Sequence, residues 1–311
     1  MIEFGQGASA TVGVDHRWRA GQPPGRHPPE PPIEVHAADE HTFILRQSKT
    51  VHYEAPFMYL FFGSERALLL DTGATAEAER FPLRVAVDGL IDAWLARHPR
   101  EAYGLTVAHS HGHADHVAAD DQFQGRPRTQ VVGRDVAAVK AFFGLSGWPE
   151  GTAACDLGGR VLEIVPCPGH HESSIAVFDP HSGLLVTGDT VYPGRLYVKD
   201  PAAFARSMDR LAEVVRTRPV RYVMGCHVEM RRASGRDYPI GTTYQPDERP
   251  LPMRPDQLLA VRDRAHALAD RPGAHMFDDF ALWIGPCPGA VARQAARALA
   301  RELGLRLGLA R

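Results

Sequence analysis

The chain has 311 residues, a hydrophobic fraction of 44% and a formal net charge of −2. The near balance of acidic and basic residues gives no indication that nucleic acid or an acidic membrane surface is a partner. No apolar run has the length of a signal peptide or of a bilayer span, so we expect a soluble, cytoplasmic protein with no membrane partner.

The N-terminal part of the chain is rich in proline. Residues 21–35 contain six prolines, and proline lacks a backbone N–H and fixes its own φ angle. We therefore predict an extended, irregular arm over residues 1–34 and a single folded domain over residues 35–311. The C-terminal segment of this domain, from about residue 253 to residue 311, is predicted to be mainly helical.

From residue 41 onward, short apolar segments closed by turn residues alternate with segments of helical periodicity. HTFILRQ, FMYLFFG and RALLLDTG are typical of strands, and residues 76–98 carry apolar side chains at helical spacing. YGLTVAHSH predicts another strand, and RDVAAVKAFFG predicts a helix. Three more strands are predicted at GRVLEIVPCPG, SSIAVFDP and GLLVTGD, before a helix with Asp200 as its N-cap.

The remaining chain contains the predicted strand VRYVMGCH and then a helix, a short strand and a terminal helix. Strands and helices intermix throughout, and several strands follow one another with only tight turns between them. This pattern favours an α/β layered sandwich over a doubly wound parallel sheet. The four cysteines are far apart and form no CxxC pair, so we expect small buried hydrophobic side chains.

The strongest chemical signal is HGHADH, at residues 111–116. Imidazole and carboxylate groups are the usual ligands of a borderline divalent cation such as zinc. Six residues cannot complete two metal sites, and His170, Asp189 and His227 each close a predicted strand, where sites commonly assemble. A glycine before each of His170 and Asp189 allows the backbone to turn sharply there.

These residues belong to motifs that resemble those of the metallo-β-lactamase superfamily of metal-dependent hydrolases. In the family's order, the motifs are LLLDTG (68–73), SHGHADH (110–116), PGHH (168–171), LLVTGD (184–189) and GCH (225–227). The resemblance covers roughly residues 40–230. It implies an αββα sandwich with a metal site at one edge of the two sheets.

The resemblance also implies a dinuclear centre with two zinc ions per chain, although Mn, Fe or Co suit the same ligand types. The implied ligands are His111, His113 and His170 for the first ion, Asp115, His116 and His227 for the second, and Asp189 as a bridge. A bridging hydroxide would complete the site. Asp115 would also orient the attacking water or carry its proton, and Asp71 would orient ligands without binding metal.

We therefore predict a zinc-dependent hydrolase that cleaves an ester, thioester or lactone-type carbonyl in a small-molecule substrate. The implied bridging residue is an aspartate, Asp189, which follows a glycine, whereas one class of the family's β-lactamases has cysteine at this position. This favours the glyoxalase II-like and lactonase-like branches of the family. Three alternatives remain open. They are a mononuclear iron oxidoreductase that resembles persulfide dioxygenases, a β-lactamase or phosphodiesterase activity on the same fold, and a binding protein without catalysis.

Two features near the implied centre indicate a substrate pocket. Tyr192 stands three residues after Asp189, a spacing at which some lactonases carry a tyrosine that hydrogen-bonds the substrate carbonyl. We predict this catalytic role for Tyr192, as an oxyanion stabiliser. The irregular segment 236–252, rich in Pro, Tyr and Gly, is predicted to form a wall of the pocket.

Other residues near the motifs are expected to be structural. Tyr53, Phe57 and Tyr59 are better explained as part of a strand than as pocket residues. His109 and His171 match no ligand position of the family motifs, and we expect both to be bystanders, with His171 pointing away from the centre. The oligomeric state cannot be inferred from the sequence.

Overall fold

The structure is a computed structural model that describes residues 2, 4–5, 11–23, 25 and 27–306. Its first sheet contains six strands, β1–β6, in sequence order. These strands are Ile33–Asp39, Thr42–Gln47, Phe57–Phe62, Arg66–Leu70, Gly104–Ala108 and Thr129–Val131. Strands β1–β4 form an antiparallel meander, and β5 and β6 continue the sheet in parallel.

The second sheet also contains six strands, in the order β13-β12-β10-β9-β8-β7. Strands β7–β13 are Ala153–Asp156, Val161–Pro166, Ile175–Asp179, Leu184–Gly188, Arg195–Val198, Tyr222–Gly225 and Pro252–Met253. Strand β11 lies outside this sheet. It pairs with β15 (Ala281–Ile284), which pairs with β14 (Gly273–Met276), and the three form a small separate sheet.

Helices cover the outer faces of the two large sheets. Helices α1–α6 are Leu83–Arg97, Ala114–Val117, Val136–Phe143, Pro201–Thr217, Pro255–Leu268 and Pro288–Arg306, and a 3-10 turn spans Asp120–Phe123. Among the described residues, none of these helices combines the length and the hydrophobicity that a bilayer span requires.

Three buried apolar clusters define the layers. Side chains of β3 and β4 meet those of β8, β9 and β10 between the sheets. Helix α1 packs Val87, Ile91 and Trp94 on the outer face of the first sheet. Helices α4 and α5, together with β11 and β15, cover the outer face of the second sheet. The layer order is therefore αββα, as the sequence predicts.

Arg160 connects the two sheets at the edge opposite the strand ends that carry the motifs. Its guanidinium pairs with Asp179 of β9 and donates to the Phe62 carbonyl at 3.1 Å and to Thr42 Oγ1 at 2.7 Å. Both Arg160 and Asp179 are buried. Removal of Arg160 alone would leave the buried Asp179 carboxylate without its cation and is therefore expected to be strongly destabilising.

Several local predictions are confirmed and others need correction. Asp200 caps α4 through a bond from the Ala203 N–H, and Pro201 is the first residue of that helix. Helix α1 begins at Leu83 rather than at residue 76, because Pro82 disfavours helical geometry in the residue before it. Cys167 and Cys226 are buried, whereas Cys155 and Cys287 are only partly so.

The proline-rich arm packs on the domain where it is described. Residues 11–20 have no regular secondary structure, yet Val14 and Trp18 are buried in the core between the sheets. Trp18 contacts Phe57 edge-on, with 5.0 Å between the ring centroids. Parts of the arm, and residues 307–311 of the predicted C-terminal segment, lie outside the described residues. The division at residues 34 and 35 stays a prediction.

Candidate metal centre

Five strand ends meet at one edge of the sandwich and present polar side chains there. Strands β4 and β5 lead into Asp71 and the segment 109–117, and strands β8, β10 and β12 lead into His170, Asp189 and His227. Four of the seven predicted ligands therefore come from the first sheet and three from the second. All seven fall into two groups whose ligand atoms lie within 4.8 Å of one another.

Two glycines make the turns that bring His170 and Asp189 inward. Gly169 has φ of 142° and Gly188 has φ of 53°, which side-chain-bearing residues rarely adopt. A Cβ on Gly169 would lie 2.5 Å from the Phe204 Cα, and one on Gly188 would lie 2.7 Å from the Ser110 Cβ. Both positions require glycine, as the sequence predicts.

The first group consists of His111, His113 and His170. Nδ1 of His113 lies 2.8 Å from Nε2 of His111 and 3.0 Å from Nε2 of His170. His170 contacts the Tyr197 carbonyl through Nδ1 at 2.8 Å, so Nδ1 carries the proton and the lone pair of Nε2 faces the group. This arrangement presents three imidazole nitrogens to one point.

The second group consists of Asp115, His116, Asp189 and His227. Its ligand atoms are 3.3–3.5 Å apart: 3.3 Å between the two Nε2 atoms, and 3.4 or 3.5 Å from each of these to the carboxylate oxygens. A tetrahedral zinc ion with ligands at about 2.0–2.1 Å requires ligand atoms roughly 3.3–3.4 Å apart. The spacing therefore fits a single tetrahedral cation.

Asp189 lies between the two groups. Its Oδ1 belongs to the second group, and its Oδ2 lies 3.7 Å from Nε2 of His170 in the first. Oδ1 is buried and has no hydrogen-bond partner among the described residues. A buried carboxylate oxygen is costly without a partner, and a cation at this position would supply one.

The charges of the two groups differ. Burial alone would lower the pKa of His227, but Asp189 and Asp115 raise it to about 9. Burial alone would raise the pKa of Asp189, but His227 and His116 lower it to about 2. In the first group, burial lowers the pKa of His113 to about 4. The second group is therefore an anionic site that favours positive charge, whereas the first offers neutral imidazoles.

Asp71 orients His116 and is itself a member of neither ligand group. Its Oδ2 accepts from Nδ1 of His116 at 2.9 Å and from the Ser110 hydroxyl at 2.8 Å, and its Oδ1 accepts from the Ser110 N–H at 2.7 Å. The bond to Nδ1 fixes the tautomer that leaves Nε2 free for a cation. The predicted orienting contact of Asp71 is therefore present.

Comparison with known families matches residues 54–227 to the model of the metallo-beta-lactamase superfamily. The matched segment covers more than half of the chain and contains both ligand groups. The chain belongs to the metallo-β-lactamase superfamily.

Curated relatives of this superfamily member are named hydroxyacylglutathione hydrolase. The protein of Chromohalobacter salexigens is 34% identical over 119 residues, which is 36% of this chain and 46% of the relative. The protein of Mesorhizobium japonicum is 26% identical over 156 residues, or 49% and 58% of the two chains. The chain thus spans about half the length of these relatives.

Solved structures of the superfamily are more distant in sequence. A metallo-beta-lactamase from Pontibacter korlensis is 19% identical, with a TM-score of 0.48 over 75% of this chain and 99% of its own. The DIM-1 metallo-beta-lactamase is 14% identical, with a TM-score of 0.48 over 76% and 98%.

In this superfamily member, the candidate centre opens into a cavity of about 490 Å³. Asp115, Asp189 and His227 form part of its wall. The predicted loop contributes as well, because Pro239, Ile240, Gly241, Thr242 and Gln245 of segment 236–252 line the same cavity. The volume falls in the range of small-molecule sites.

Tyr192 also lines the cavity, but its hydroxyl is already engaged. It donates to the Arg195 carbonyl and lies 3.5 Å from the Glu229 carboxylate. The ring packs near His227, with 5.7 Å between centroids. In this geometry a substrate carbonyl would have to displace an internal bond, and the oxyanion role of Tyr192 stays a prediction.

The remaining predictions near the centre have mixed outcomes. His109 joins neither ligand group and lies 3.3 Å from Asp120. His171 also joins neither group, but its ring lies 4.8 Å from that of His113, so the expectation that it points away is wrong. Tyr59 is buried in the core, as expected, whereas Tyr53 lines the cavity.

Sequence reasoning missed five charged residues of the cavity wall. They are Lys49, Glu54, Arg195, Lys199 and Glu229. No motif identifies them, and they come together at the cavity only through the tertiary fold. Glu229 carried the best available signal, since it stands two residues after His227 on an irregular segment.

Proposed function

We propose that this protein is a dinuclear zinc hydrolase that cleaves an ester, thioester or lactone-type carbonyl in a small molecule. One observation carries the proposal. The Asp189 carboxylate directs one oxygen to the second ligand group and the other toward the first, beside a cavity of small-molecule size. A shared carboxylate is what two neighbouring dications need between them.

The residues of the site would have different roles in such a reaction. The two ligand groups would hold the ions, and when bound the ions supply a hydroxide nucleophile at neutral pH and polarise the substrate carbonyl. Asp115 lies at the cavity, and its pKa is far below the ordinary value because His116 and His227 outweigh burial. It therefore stays ionised and can orient the attacking water as a hydrogen-bond acceptor.

Thioesters are the first substrates to test. The curated relatives are named hydroxyacylglutathione hydrolase, and this name supports a thioester for the matched part of the chain. Segment 236–252, which follows His227, forms part of the cavity wall. Esters and lactones belong in the same panel, with β-lactams and phosphodiesters as the alternative activities.

The experiment combines metal analysis with turnover of that panel by zinc-loaded protein. We expect close to two zinc ions per chain and hydrolysis of a carbonyl substrate. Asp189→Ala should retain about one ion and lose most of the activity. A stoichiometry well under one, or unaltered turnover in this variant, would contradict the proposal. Iron in the purified protein, with oxygen uptake on a persulfide, would instead support the mononuclear oxidoreductase.

Neighbouring histidines provide a matched control for the ligand assignment. His170 belongs to the first group, whereas His171 does not. We expect His170→Gln to lose the first ion and His171→Gln to keep both. Equal metal contents in the two variants would show that the assignment of His170 is wrong.

A further inference from the structure

Lys49 is a buried cation in the wall of the active-site cavity. Its side chain is only 2% exposed. The ammonium donates to the Tyr53 carbonyl at 3.4 Å and lies 3.5 Å from Glu248 Oε1, which is beyond a good charge-assisted hydrogen bond. An ammonium has three donors, so Lys49 is incompletely partnered by the protein.

The Glu248 carboxylate beside Lys49 already accepts hydrogen bonds from another residue. Arg46 donates to both oxygens of Glu248, at 2.7 Å each. This bidentate pair is the stronger interaction, and Lys49 makes only the longer contact of 3.5 Å with Glu248. Burial lowers the pKa of Lys49 to about 8, although Glu248 opposes this shift. A further anion from the cavity would compensate the cost of burying this charge.

The other buried cation of this wall is not available in the same way. Arg195 donates to Asp237 at 2.9 Å, to the Tyr238 carbonyl at 2.7 Å and to the Tyr197 hydroxyl at 3.2 Å, and it also pairs with Glu229. Its guanidinium is satisfied by the protein. Lys49 is therefore the buried cation with donors to spare for a ligand.

Gln245 adds an unpaired acceptor to the wall of the same cavity. Its Oε1 is buried and has no hydrogen-bond partner among the described residues. The segments of the two residues meet at residues 20 and 21, since Gly21 packs against the Lys49 Cβ and the Thr243 backbone, and the Ala20 carbonyl accepts from the Gln245 N–H at 2.7 Å. The cavity wall thus contains a spare donor and a spare acceptor.

We propose that Lys49 binds a carboxylate of the substrate and that Gln245 accepts a hydrogen bond from an adjoining N–H or O–H. This inference rests on the proposed hydrolase function and narrows its substrate class. The substrate is a carbonyl compound that carries its scissile group at one end and an anionic carboxylate at the other. Lys49 and Gln245 act in recognition and take no part in bond cleavage.

The test compares matched thioesters on the zinc-loaded chain of 311 residues. The substrates are S-acetyl derivatives of mercaptopropionate, mercaptohexanoate and mercaptoundecanoate, each paired with the corresponding primary amide. Thiol release is followed colorimetrically. We expect the acid to exceed the amide in kcat/KM by roughly tenfold or more at one chain length, mainly through KM. Equal values for acid and amide at every length would overturn the proposal without any variant.

Two variants separate recognition from a structural role. Lys49→Met should bring the acid-to-amide ratio to about one, and Lys49→Arg should restore part of it. Glu248→Gln should keep the ratio at or above that of the wild type, because it removes a protein carboxylate that competes for Lys49. A ratio that survives in Lys49→Met, or that falls equally in Glu248→Gln, would refute the proposal.

Failure of the hydrolase function gives a different result. In that case neither member of a pair is cleaved. Calorimetric binding of S-acetyl mercaptohexanoate and of its amide to metal-free wild type and Lys49→Met then decides the subsite alone. Tighter binding of the acid that depends on Lys49 supports the subsite, and equal binding rejects it.

Discussion

The contact between Asp71 and His116 gives a sharp prediction for Asp71→Asn. The substitution preserves shape, and the backbone at this position has φ of 70°, a conformation that asparagine tolerates at least as well as aspartate. The change therefore removes the carboxylate without adding backbone strain. The Ser110 N–H can still donate to the remaining amide oxygen.

The magnitude follows from the lost bond between Oδ2 and Nδ1 of His116, which is 2.9 Å long and fully buried. A hydrogen bond to a charged group contributes about 1.5–3 kcal/mol. An amide N–H₂ facing Nδ1 also favours the wrong tautomer, with the proton on the ligand atom Nε2. We expect affinity for the second ion to fall by roughly 10- to 100-fold, with the first ion unaffected.

The assay is competition for zinc against a chelator of known affinity, with the two binding steps resolved. Asp120→Asn is the matched control, because Asp120 contacts His109 and Thr72 rather than a ligand. Two unchanged affinities in Asp71→Asn would refute the reasoning. So would an equal loss in the control.

Two further predictions concern residues outside the ligand groups. Tyr192→Phe should lower the free energy of unfolding by about 1 kcal/mol with only a small change in kcat, measured by denaturant titration and steady-state kinetics; a drop in kcat above a hundredfold at unchanged stability would favour the oxyanion role. Arg160→Met should cost about 3–5 kcal/mol. Burial alone would raise the pKa of Asp179, but Arg160 holds it below 3.8, so the stability that ionised Asp179 contributes is present above that pH and is lost as the pH falls further. Urea titrations from pH 2 to pH 6 should show that the stability difference between the wild type and Arg160→Met shrinks toward pH 2; a difference independent of pH would contradict the pairing.

The ligand groups could be predicted because their signal is local. Each ligand follows the end of an apolar strand, and the turns there require glycine at positions such as Gly169 and Gly188. The resemblance then supplied the grouping of ligands that spacing alone leaves open. The alternation of strands and helices predicted an α/β layered sandwich, and the resemblance supplied the αββα order.

The part of the cavity wall formed by Lys49, Arg195 and Trp283 could not be predicted, because it forms only when distant segments meet. Lys49 lies between β2 and β3, Arg195 begins β11, and Trp283 belongs to β15. Of the small sheet that carries the last two, only β15 corresponds to a predicted strand, and the four-residue strands β11 and β14 are too short for periodicity to identify. Burial of a lysine is also invisible in a sequence, where lysine is ordinarily read as exposed.

The distribution of the ligands over both sheets has a consequence beyond the reaction. A bound ion would cross-link the two halves of the sandwich, and an unfolded chain does not hold the same geometry. An ion at a thousand times its Kd would therefore add about 4 kcal/mol to the free energy of unfolding. Zinc supply would then govern how much of the protein survives proteolysis in a cell, as well as how much of it is active.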